Sequence, residues 1–463
     1  MSFIGIDLGG TFIKGAILDA DLGQLRHIRR RPFPEFESIE SLERVVSPEK
    51  VLRSLHDLLD ELFLLSPDCE GIFLCGQMHA LVMCDALGNP HSEVITWQDQ
   101  RAGQPFEGSS QSTLDALKAI LKDWDLRRLG NEFRVGLPLT QLFHLKRSDQ
   151  LPKKLYPASL MDFVVSNLCK TPPVTDSTNA EAHGLFDLLT GSWDEQLIRY
   201  LGLDGLTWQE IKNHGTVAGT FIHHGRAIPC YLPVGDQQAA LLGSFLQPRM
   251  LSLNIATGSQ VGLLSSECEL GEFQTRPYFD GKYLKTITHI PAGRALNMLI
   301  RMFTEFPTPR VNNDEIWEYI QNEVGRKRST DLKVSVSYYG GPLGSAGYIG
   351  NMNETNMTLG DVFWAAFHGM AQNYYDCACR LSPDKNWDEI VFSGGLVSKT
   401  PTLQRLILEK FSNIPFQINE LKEDALTGLL LLAMKIHDPD LELSELSEKL
   451  VSGYNNQEDR RYI

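Results

Sequence analysis

The chain has 463 residues, which is too long for a single hydrophobic core and predicts two to four domains. Its net charge of −15 argues against a nucleic acid or an anionic membrane as the main partner, because both are polyanions. No signal peptide, membrane-spanning apolar run or zinc-type cysteine spacing is evident, so we expect a cytoplasmic protein with reduced thiols.

The first eighteen residues predict a hairpin with a polar, glycine-rich tip. Alternating apolar residues up to Leu8 predict one strand, and residues 12–18 predict a second. Asp7 precedes the turn Gly9-Gly10-Thr11, and Lys14 follows it. Backbone N–H groups, a hydroxyl and an ammonium at such a tip suit a polyphosphate, and a carboxylate beside them suits Mg²⁺. The alternative is an ordinary hairpin that uses glycine for its turn.

Helices and strands are predicted to alternate along the rest of the chain, which is typical of an α/β protein. Helical spacing predicts helices over residues 41–65, with a break near Ser47-Pro48, and over residues 112–129. Residues 338–350 are predicted to form a long loop, and residues 359–381 a long helix.

Two polar segments lie in the first part of the chain. Gln77 and His79 come directly after a buried strand, which places them near a sheet edge. Farther on, Trp97 offers a flat apolar face, while Asp99 can accept and Arg101 can donate hydrogen bonds, as a polyol site requires. The alternative for this second segment is a structural ion pair beside a packed tryptophan, which is the more frequent arrangement.

A second group of motifs lies between core elements in the middle and at the end of the chain. Asp236 is predicted at a strand–helix junction, as a rigidly held base or, alternatively, as a plain N-cap. After a predicted hinge at residues 247–249, a strand, the turn Ala256-Thr257-Gly258-Ser259 and another strand repeat the opening theme and suggest a duplicated core. The pair Gly394-Gly395 separates a strand from a helix, where the backbone can lie against a phosphate or a planar ligand.

Together, these motifs resemble those of the FGGY carbohydrate kinases, a family of the actin-like ATPase superfamily. The resemblance covers nearly the whole chain and is carried by Asp7 to Lys14, Gly76 to His79, Thr96 to Arg101, Thr175 to Ala180, Gly235 to Ala240, Asn254 to Ser259, and Phe392 to Ser398. It implies an α/β fold with two actin-like, ribonuclease H-like domains of duplicated core that flank a deep catalytic cleft. The expected domains are residues 1–246, with the sugar pocket, and residues 247–463, on the nucleotide side.

The resemblance also implies roles for individual residues. Asp236 is expected to be the catalytic base and Asp7 the residue that holds Mg²⁺, with ATP as the phosphoryl donor. The residues expected to bind the nucleotide and its phosphates are Gly9, Gly10, Thr11, Lys14, Thr257, Gly258, Ser259, Gly293, Gly394, Gly395 and Ser398. The residues expected to bind the sugar are Gln77, Met78, His79, Trp97, Asp99, Arg101 and Gln237.

The expected substrates are a small-molecule ketose and ATP, without a nucleic-acid or membrane partner, in a monomer or homodimer. Several segments are most similar to those of family members that act on sedoheptulose, and D-xylulose or another pentulose or polyol is the alternative. Gly10 departs from the threonine usual after Gly9, which removes one hydroxyl from the phosphate loop. A non-catalytic sugar or ATP sensor on the same fold, and an actin- or chaperone-like ATPase, are the alternatives from other functional classes.

Overall fold

The computed structural model describes residues 1–37, 42–106, 108–305, 313–327, 329–419 and 423–458, except for the side chains of residues 313–314 and 453–458. The strands before residue 246 are β1 (Ser2–Leu8), β2 (Phe12–Asp19), β3 (Gln24–Pro32), β4 (Val45–Val46), β5 (Ile72–Gly76), β6 (Leu81–Cys84), β7 (Val94–Ile95), β8 (Tyr156–Ser159), β9 (Val174–Asp176), β10 (Phe186–Asp187), β11 (Ser192–Trp193), β12 (Glu210–Lys212), β13 (Val217–His223), β14 (Arg226–Tyr231) and β15 (Val234–Gly235). The helices of this part are α1 (Pro48–Leu65), α2 (Thr113–Ile120), α3 (Pro138–Arg147), α4 (Leu160–Cys169), α5 (Ser177–Glu181), α6 (Glu195–Tyr200) and α7 (Asp236–Gly243).

The second part of the chain adds another set of strands and helices. Its strands are β16 (Met250–Ile255), β17 (Gly258–Ser265), β18 (Gln274–Pro277), β19 (Tyr283–Pro291), β20 (Lys333–Ser335), β21 (Tyr348–Gly350), β22 (Glu389–Ser393) and β23 (Phe416–Ile418). Its helices are α8 (Gly293–Thr304), α9 (Asn313–Arg326), α10 (Leu359–Leu381), α11 (Gly395–Lys399), α12 (Pro401–Lys410), α13 (Asp424–His437) and α14 (Leu443–Glu458). Within the described ranges, no helix combines the length and apolarity needed to cross a membrane.

Two large sheets repeat one topology. The first has the order β13-β14-β5-β1-β2-β3, with β15 also paired to β5, and the second has the order β18-β19-β17-β16-β22-β23. In the first sheet, β1 forms an antiparallel hairpin with β2 and pairs in parallel with β5. In the second, β16 forms the same kind of hairpin with β17 and pairs in parallel with β22. The α/β fold with a duplicated core that the sequence predicted is confirmed.

The helix α13 connects the two parts of the molecule. It follows the second sheet in the chain but packs against α7 and against β1, β2 and β5 of the first sheet. The two helices approach so closely that a Cβ on Gly428 would lie 2.0 Å from the Ala239 carbonyl oxygen, and one on Gly243 would lie 1.8 Å from the Asp424 carbonyl oxygen. A domain boundary between residues 246 and 247 stays a prediction.

Several elements differ from the sequence-based expectation. The strand β3 was not predicted, because its arginine-rich sequence lies mostly exposed at a sheet edge and lacks an apolar alternation. The helix predicted over residues 41–65 begins only at Pro48, after the short strand β4, and residue 41 lies outside the described residues. The helix predicted over residues 112–129 divides into α2 and a 3₁₀ turn at Leu126–Leu129. The segment 338–350 is not all loop, since β21 pairs with β20.

The contact between α7 and α13 leads to a stability prediction. We expect Gly428→Ala to lower the free energy of unfolding by about 1–3 kcal/mol, because the added methyl group must displace the backbone of α7. The matched control is Gly325→Ala on the exposed end of α9, where a Cβ has open space and alanine favours the helix. Urea unfolding of the two variants measures the difference. If Gly428→Ala were as stable as Gly325→Ala, the added methyl group would be accommodated between α7 and α13 without a loss of stability, which would contradict the prediction.

Candidate active site

Three neighbouring parallel strands end level with one another and place their following residues at one edge of the first sheet. Gly76, the last residue of β5, is level with the last residues of both β1 and β15. Side chains at the carboxyl ends of parallel strands face a common crevice. The pairing register therefore brings Asp7, Gln77 and Asp236 to the same place.

A cavity of about 650 Å³ opens at this edge. Of the residues predicted from the sequence, those that line it are Asp7, Gly9, Gly10, Thr11, Gln77, Met78, His79, Trp97, Asp236, Gln237, Gly258 and Ser259. It is also lined by residues that the sequence did not single out, among them Glu132, Arg134, Arg276, His289 and Asp424. Because the lining comes from both sheets, the cavity lies between the two parts of the chain. A larger cavity of about 900 Å³, around Trp124 and Trp193, contains none of the predicted residues.

Asp7 and Lys14 face each other across the first hairpin. The Lys14 Nζ atom is 3.5 Å from Asp7 and 3.1 Å from Glu423, which also pairs with Arg30. Burial raises the pKa of Asp7 above its usual value, while the Lys14 ammonium acts in the opposite direction. Lys14 is absent from the cavity lining and reaches the cavity through its contact with Asp7.

Asp236 begins α7 directly after β15, as the sequence predicted. It is not an N-cap, because Gly235 holds that position and no side chain caps the helix. The Gln237 backbone N–H donates to Asp236 Oδ1 at 2.8 Å. Burial raises the pKa of Asp236 to about 7, and the negative charge of Asp7 is the second cause. A carboxylate with this pKa is suited to accept a proton near neutral pH.

Charged and imidazole side chains form another wall of the cavity, which we call the polar wall: His79, Glu132, Arg134, Arg276 and His289. Arg276 donates to Glu132, and both are buried. Arg134 lies 2.7 Å from Glu132, 3.1 Å from His79 Nδ1 and 3.2 Å from His289 Nε2. Burial opposes the ionisation of Glu132, but the charges of Arg276 and its neighbours outweigh it and hold the pKa of Glu132 well below its usual range. Burial lowers the pKa of His79 to about 4.

Two glutamines of the cavity have unused hydrogen-bonding capacity among the described residues. Gln77 Nε2 and Gln237 Oε1 are buried and have no hydrogen-bond partner there. The other end of the Gln237 amide donates to Gln260 Oε1 at 3.0 Å. A buried polar group without a partner costs about 1–3 kcal/mol. A ligand rich in hydroxyl groups would satisfy both amides, and the half-exposed indole of Trp97 lies on the same cavity.

A second cavity of about 550 Å³ is lined by Thr257, Gly293 and Gly395, three of the residues predicted to bind the nucleotide. Gly394 has a φ of 90°, and a Cβ there would lie 2.5 Å from a backbone oxygen of β16, so this position requires glycine. Ser398 is exposed and is not part of the lining, with its hydroxyl 3.4 Å from the Gly395 carbonyl oxygen.

The structure does not bring Asp99 and Arg101 to either of these two cavities. Asp99 is fully buried and accepts hydrogen bonds from the Arg101 guanidinium at 2.8–3.0 Å and from the Arg44 backbone N–H at 2.9 Å. The geometry therefore shows the structural ion pair that was considered as the alternative, and it shows no direct access of this pair to a sugar in the cavity. Trp97, from the same segment, does line the cavity.

Sequence reasoning missed the polar-wall residues Glu132, Arg134, Arg276 and His289. Each is a single charged or imidazole residue in a segment without a recognisable motif. His289 carries one structural signature, a φ of 61°, which is unusual for a residue other than glycine. That conformation cannot be recognised in the sequence, so only the tertiary structure identifies this group.

The duplicated topology of the two sheets agrees with the expected pair of actin-like domains. The chain belongs to the FGGY family of carbohydrate kinases: residues 2–243, more than half of the chain, match the model of the family's N-terminal domain. It is therefore a carbohydrate kinase, an enzyme that uses ATP and a sugar. This confirms the family resemblance and the class of enzyme expected from the sequence.

Individual relatives resemble the chain at low identity. The sedoheptulokinase of Mus musculus is 24% identical, over 90% of this chain and 93% of the relative. Among solved structures, the ligand-bound xylulose kinase of Lactobacillus acidophilus superimposes with a TM-score of 0.82 at 18% identity, covering 96% of this chain and 91% of that one. The Plasmodium falciparum glycerol kinase with ADP gives a TM-score of 0.81 at 17% identity, covering 100% and 98%. These structures confirm the fold with its two actin-like domains.

The carboxyl group of Glu181 leads to a prediction about pH. Glu181 is buried and its Oε2 has no partner among the described residues; burial raises its pKa to about 8 from a usual 4.5. As the pH rises between these values, the unfolded chain loses a proton that the folded chain keeps, so stability falls by up to about 1.4 kcal/mol per pH unit. Glu181→Gln removes this contribution.

We therefore expect the stability of the wild-type protein, relative to Glu181→Gln, to decrease steadily from about pH 5 to pH 8. Urea unfolding at three pH values in this range measures the difference. Glu195→Gln, at a residue with a side chain that is 80% exposed, is the control and should follow the wild type. A difference between wild type and Glu181→Gln that does not change with pH would contradict the prediction.

Proposed function

We propose that the enzyme transfers the γ-phosphoryl group of ATP to the terminal hydroxyl of a ketose, with sedoheptulose as the preferred acceptor. D-Xylulose, or another pentulose or polyol, is the alternative acceptor. The observation that carries the proposal is the meeting of Asp7 and Asp236 in one cavity whose remaining lining offers hydrogen bonds to hydroxyl groups. The similarity to the murine sedoheptulokinase over 90% of the chain supports the choice of sedoheptulose.

In this proposal, Asp236 takes the proton of the attacking hydroxyl. Phosphoryl transfer passes through a loose transition state, so positioning and charge neutralisation carry most of the acceleration. Asp236 is held at a strand–helix junction with its Oδ1 fixed by the Gln237 backbone N–H. Gln77, Met78, His79, Trp97 and Gln237 would orient the sugar, whereas Asp99 and Arg101 would support the segment that carries Trp97.

The two hairpin tips would bind the phosphates of ATP. Residues 9–11 and 258–259 line the same cavity from the two sheets, and Lys14 would add a positive charge beside Asp7. Residues 394–395, with Thr257 and Gly293, would bind the adenosine in the second cavity. The two expected domains, residues 1–246 and 247–463, would then bind the sugar and the nucleotide.

Mg²⁺ is the metal ion that the proposal includes, and Asp7 is the residue that would hold it. The chemistry fits, because a carboxylate is a ligand that Mg²⁺ prefers, and most of its other ligands are commonly water and phosphate oxygens. No group of three or more His, Cys, Asp or Glu side chains suited to a metal occurs in the described part of the chain. When bound, the ion would neutralise charge on the phosphates.

The two alternatives from other functional classes make different use of the cavity. A sensor would bind sugar or ATP without turnover and would have no need of a carboxylate whose pKa is about 7 at a strand–helix junction. An actin- or chaperone-like ATPase would hydrolyse ATP without an acceptor and would have no use for a polar wall beside Trp97. Neither alternative is favoured by a specific observation.

A panel of acceptors tests the proposal. We expect ATP-dependent phosphorylation of sedoheptulose to exceed that of xylulose, ribulose and glycerol, with product identified by mass. Asp236→Asn should fold like the wild type but lose about 10²-fold or more in turnover, the scale of a positioned general base. Binding without product would favour a sensor, ATP hydrolysis without an acceptor would favour the ATPase, and near-normal turnover of Asp236→Asn would remove Asp236 from its role.

The pH dependence of the reaction follows from the same residue. Since the base must be ionised and the pKa of Asp236 is about 7, kcat/KM should rise as the pH increases to about 7 and then level off. Initial rates at low acceptor concentration between pH 5.5 and 8.5 measure this profile. The residual activity of Asp236→Asn should lack the rise. An identical rise in that variant would assign the titration to another group.

A further inference from the structure

The polar wall begins next to Asp236 and extends away from it through a series of contacts. The Met78 sulfur lies 2.9 Å from the position of a Cβ on Gly235, the residue before Asp236. Arg276 Nη1 lies 3.7 Å from that sulfur and pairs with Glu132. The contacts therefore lead from the reacting end of the cavity to a second, remote group of polar side chains.

Arg134 is the outermost guanidinium of this series. Its side chain is 27% exposed, whereas that of Arg276 is 4% exposed, so Arg134 lies nearer to solvent. Its Nη1 atom is 3.2 Å from His289 Nε2, and its Nη2 atom is 3.1 Å from His79 Nδ1. The remote part of the wall thus combines donors from one guanidinium with acceptors from a carboxylate and imidazoles.

The remote group is assembled from both parts of the chain. Arg134 lies just before α3, whereas His289 lies near the end of β19 with a φ of 61°. Nearby, the Asn131 amide donates to the carbonyl oxygens of Gly271 at 3.2 Å and Phe273 at 3.1 Å. A residue other than glycine with positive φ carries local strain, which persists where the surrounding contacts hold it and is frequent at ligand sites.

Stability alone does not account for this network. Buried ion pairs are poor stabilisers, because the desolvation of the charges offsets their attraction. Glu132 is surrounded by two guanidinium groups and an imidazole, and all of these groups line the cavity instead of a closed core. A carboxylate that accepts hydrogen bonds and a guanidinium that donates them, side by side, match adjacent hydroxyl groups, each of which both donates and accepts.

We propose that Glu132, Arg134 and His289 form a subsite for the hydroxyl groups of the acceptor that are remote from the phosphorylated hydroxyl. The subsite favours acceptors that are long enough to extend from Asp236 to Arg134, and it thereby selects a ketose over a short polyol. This inference rests on the proposed phosphorylation of a ketose. It adds three specificity-determining residues to that reaction.

The test measures kcat/KM of Arg134→Gln and His289→Asn with sedoheptulose, xylulose and glycerol. Asparagine tolerates the left-handed backbone of residue 289 while removing the imidazole. We expect each variant to lose about 10- to 100-fold in kcat/KM with the ketoses, mainly through a higher KM. The rate with glycerol, or the acceptor-free ATP hydrolysis if glycerol is not used, should change by less than about threefold. Arg127→Gln, which removes a guanidinium paired with Asp125 outside the cavity, is the matched control and should behave like the wild type.

The outcomes separate this inference from the proposed function. A wild-type enzyme that phosphorylates no ketose overturns the proposed function and the subsite together. A wild-type enzyme that phosphorylates ketoses, with Arg134→Gln and His289→Asn unchanged, overturns only the subsite. An equal loss with ketoses and with the glycerol or acceptor-free reference also overturns it, because it shows a general effect on the fold or the chemistry. Circular dichroism and unfolding of both variants identify loss of structure directly.

Discussion

The active site depends on the pairing register of three parallel strands. β5 lies between β1 and β15, and all three end at the level of Gly76. Asp7 and Asp236 meet only because both neighbours keep this register, since a slip of one residue would turn a strand's side chains to the opposite face. The relative position of the backbone at these two residues is thus set by the pairing of the strands. The glycine-mediated contact of α7 with α13 holds the helix that begins with Asp236 in place.

Burying two carboxylates together is unfavourable, and the structure compensates for them unequally. Lys14 lies 3.5 Å from Asp7 and favours its ionised form. Among the described residues, Asp236 has no cation within ion-pair distance and accepts a backbone N–H from Gln237. Two side chains of the same type thereby have different surroundings, and different surroundings are what gives pairs of catalytic carboxyl groups different roles. In the proposed function, Asp7 would hold the metal ion and Asp236 would take the proton.

The parts of this arrangement that could be predicted from the sequence are local. The hairpin at Gly9 and the strand–helix junction at Asp236 each lie within one short continuous segment. The duplicated fold and much of the cavity lining could therefore be predicted from sequence motifs. β3 was missed because an exposed edge strand needs no apolar alternation. Asp99 was expected to bind the sugar because the family resemblance implied it, although the segment taken alone favoured the buried ion pair that the structure has. Glu132 and Arg276 are 144 residues apart, and their pairing exists only in the folded chain.

The surroundings of Gly10 suggest that different parts of the cavity would serve phosphate binding and the selection of the acceptor. Its φ is not in the left-handed region, and a Cβ there would lie 3.8 Å from Trp97 Nε1 and 4.0 Å from Gln77 Oε1, which are ordinary contacts. Backbone conformation therefore does not require glycine at this position. What glycine provides is the absence of a side chain between the tip of the first hairpin and the indole. In the proposed function, the tip would bind phosphate through backbone N–H groups, which are the same for any acceptor, so selectivity would have to come from the side chains of the polar wall.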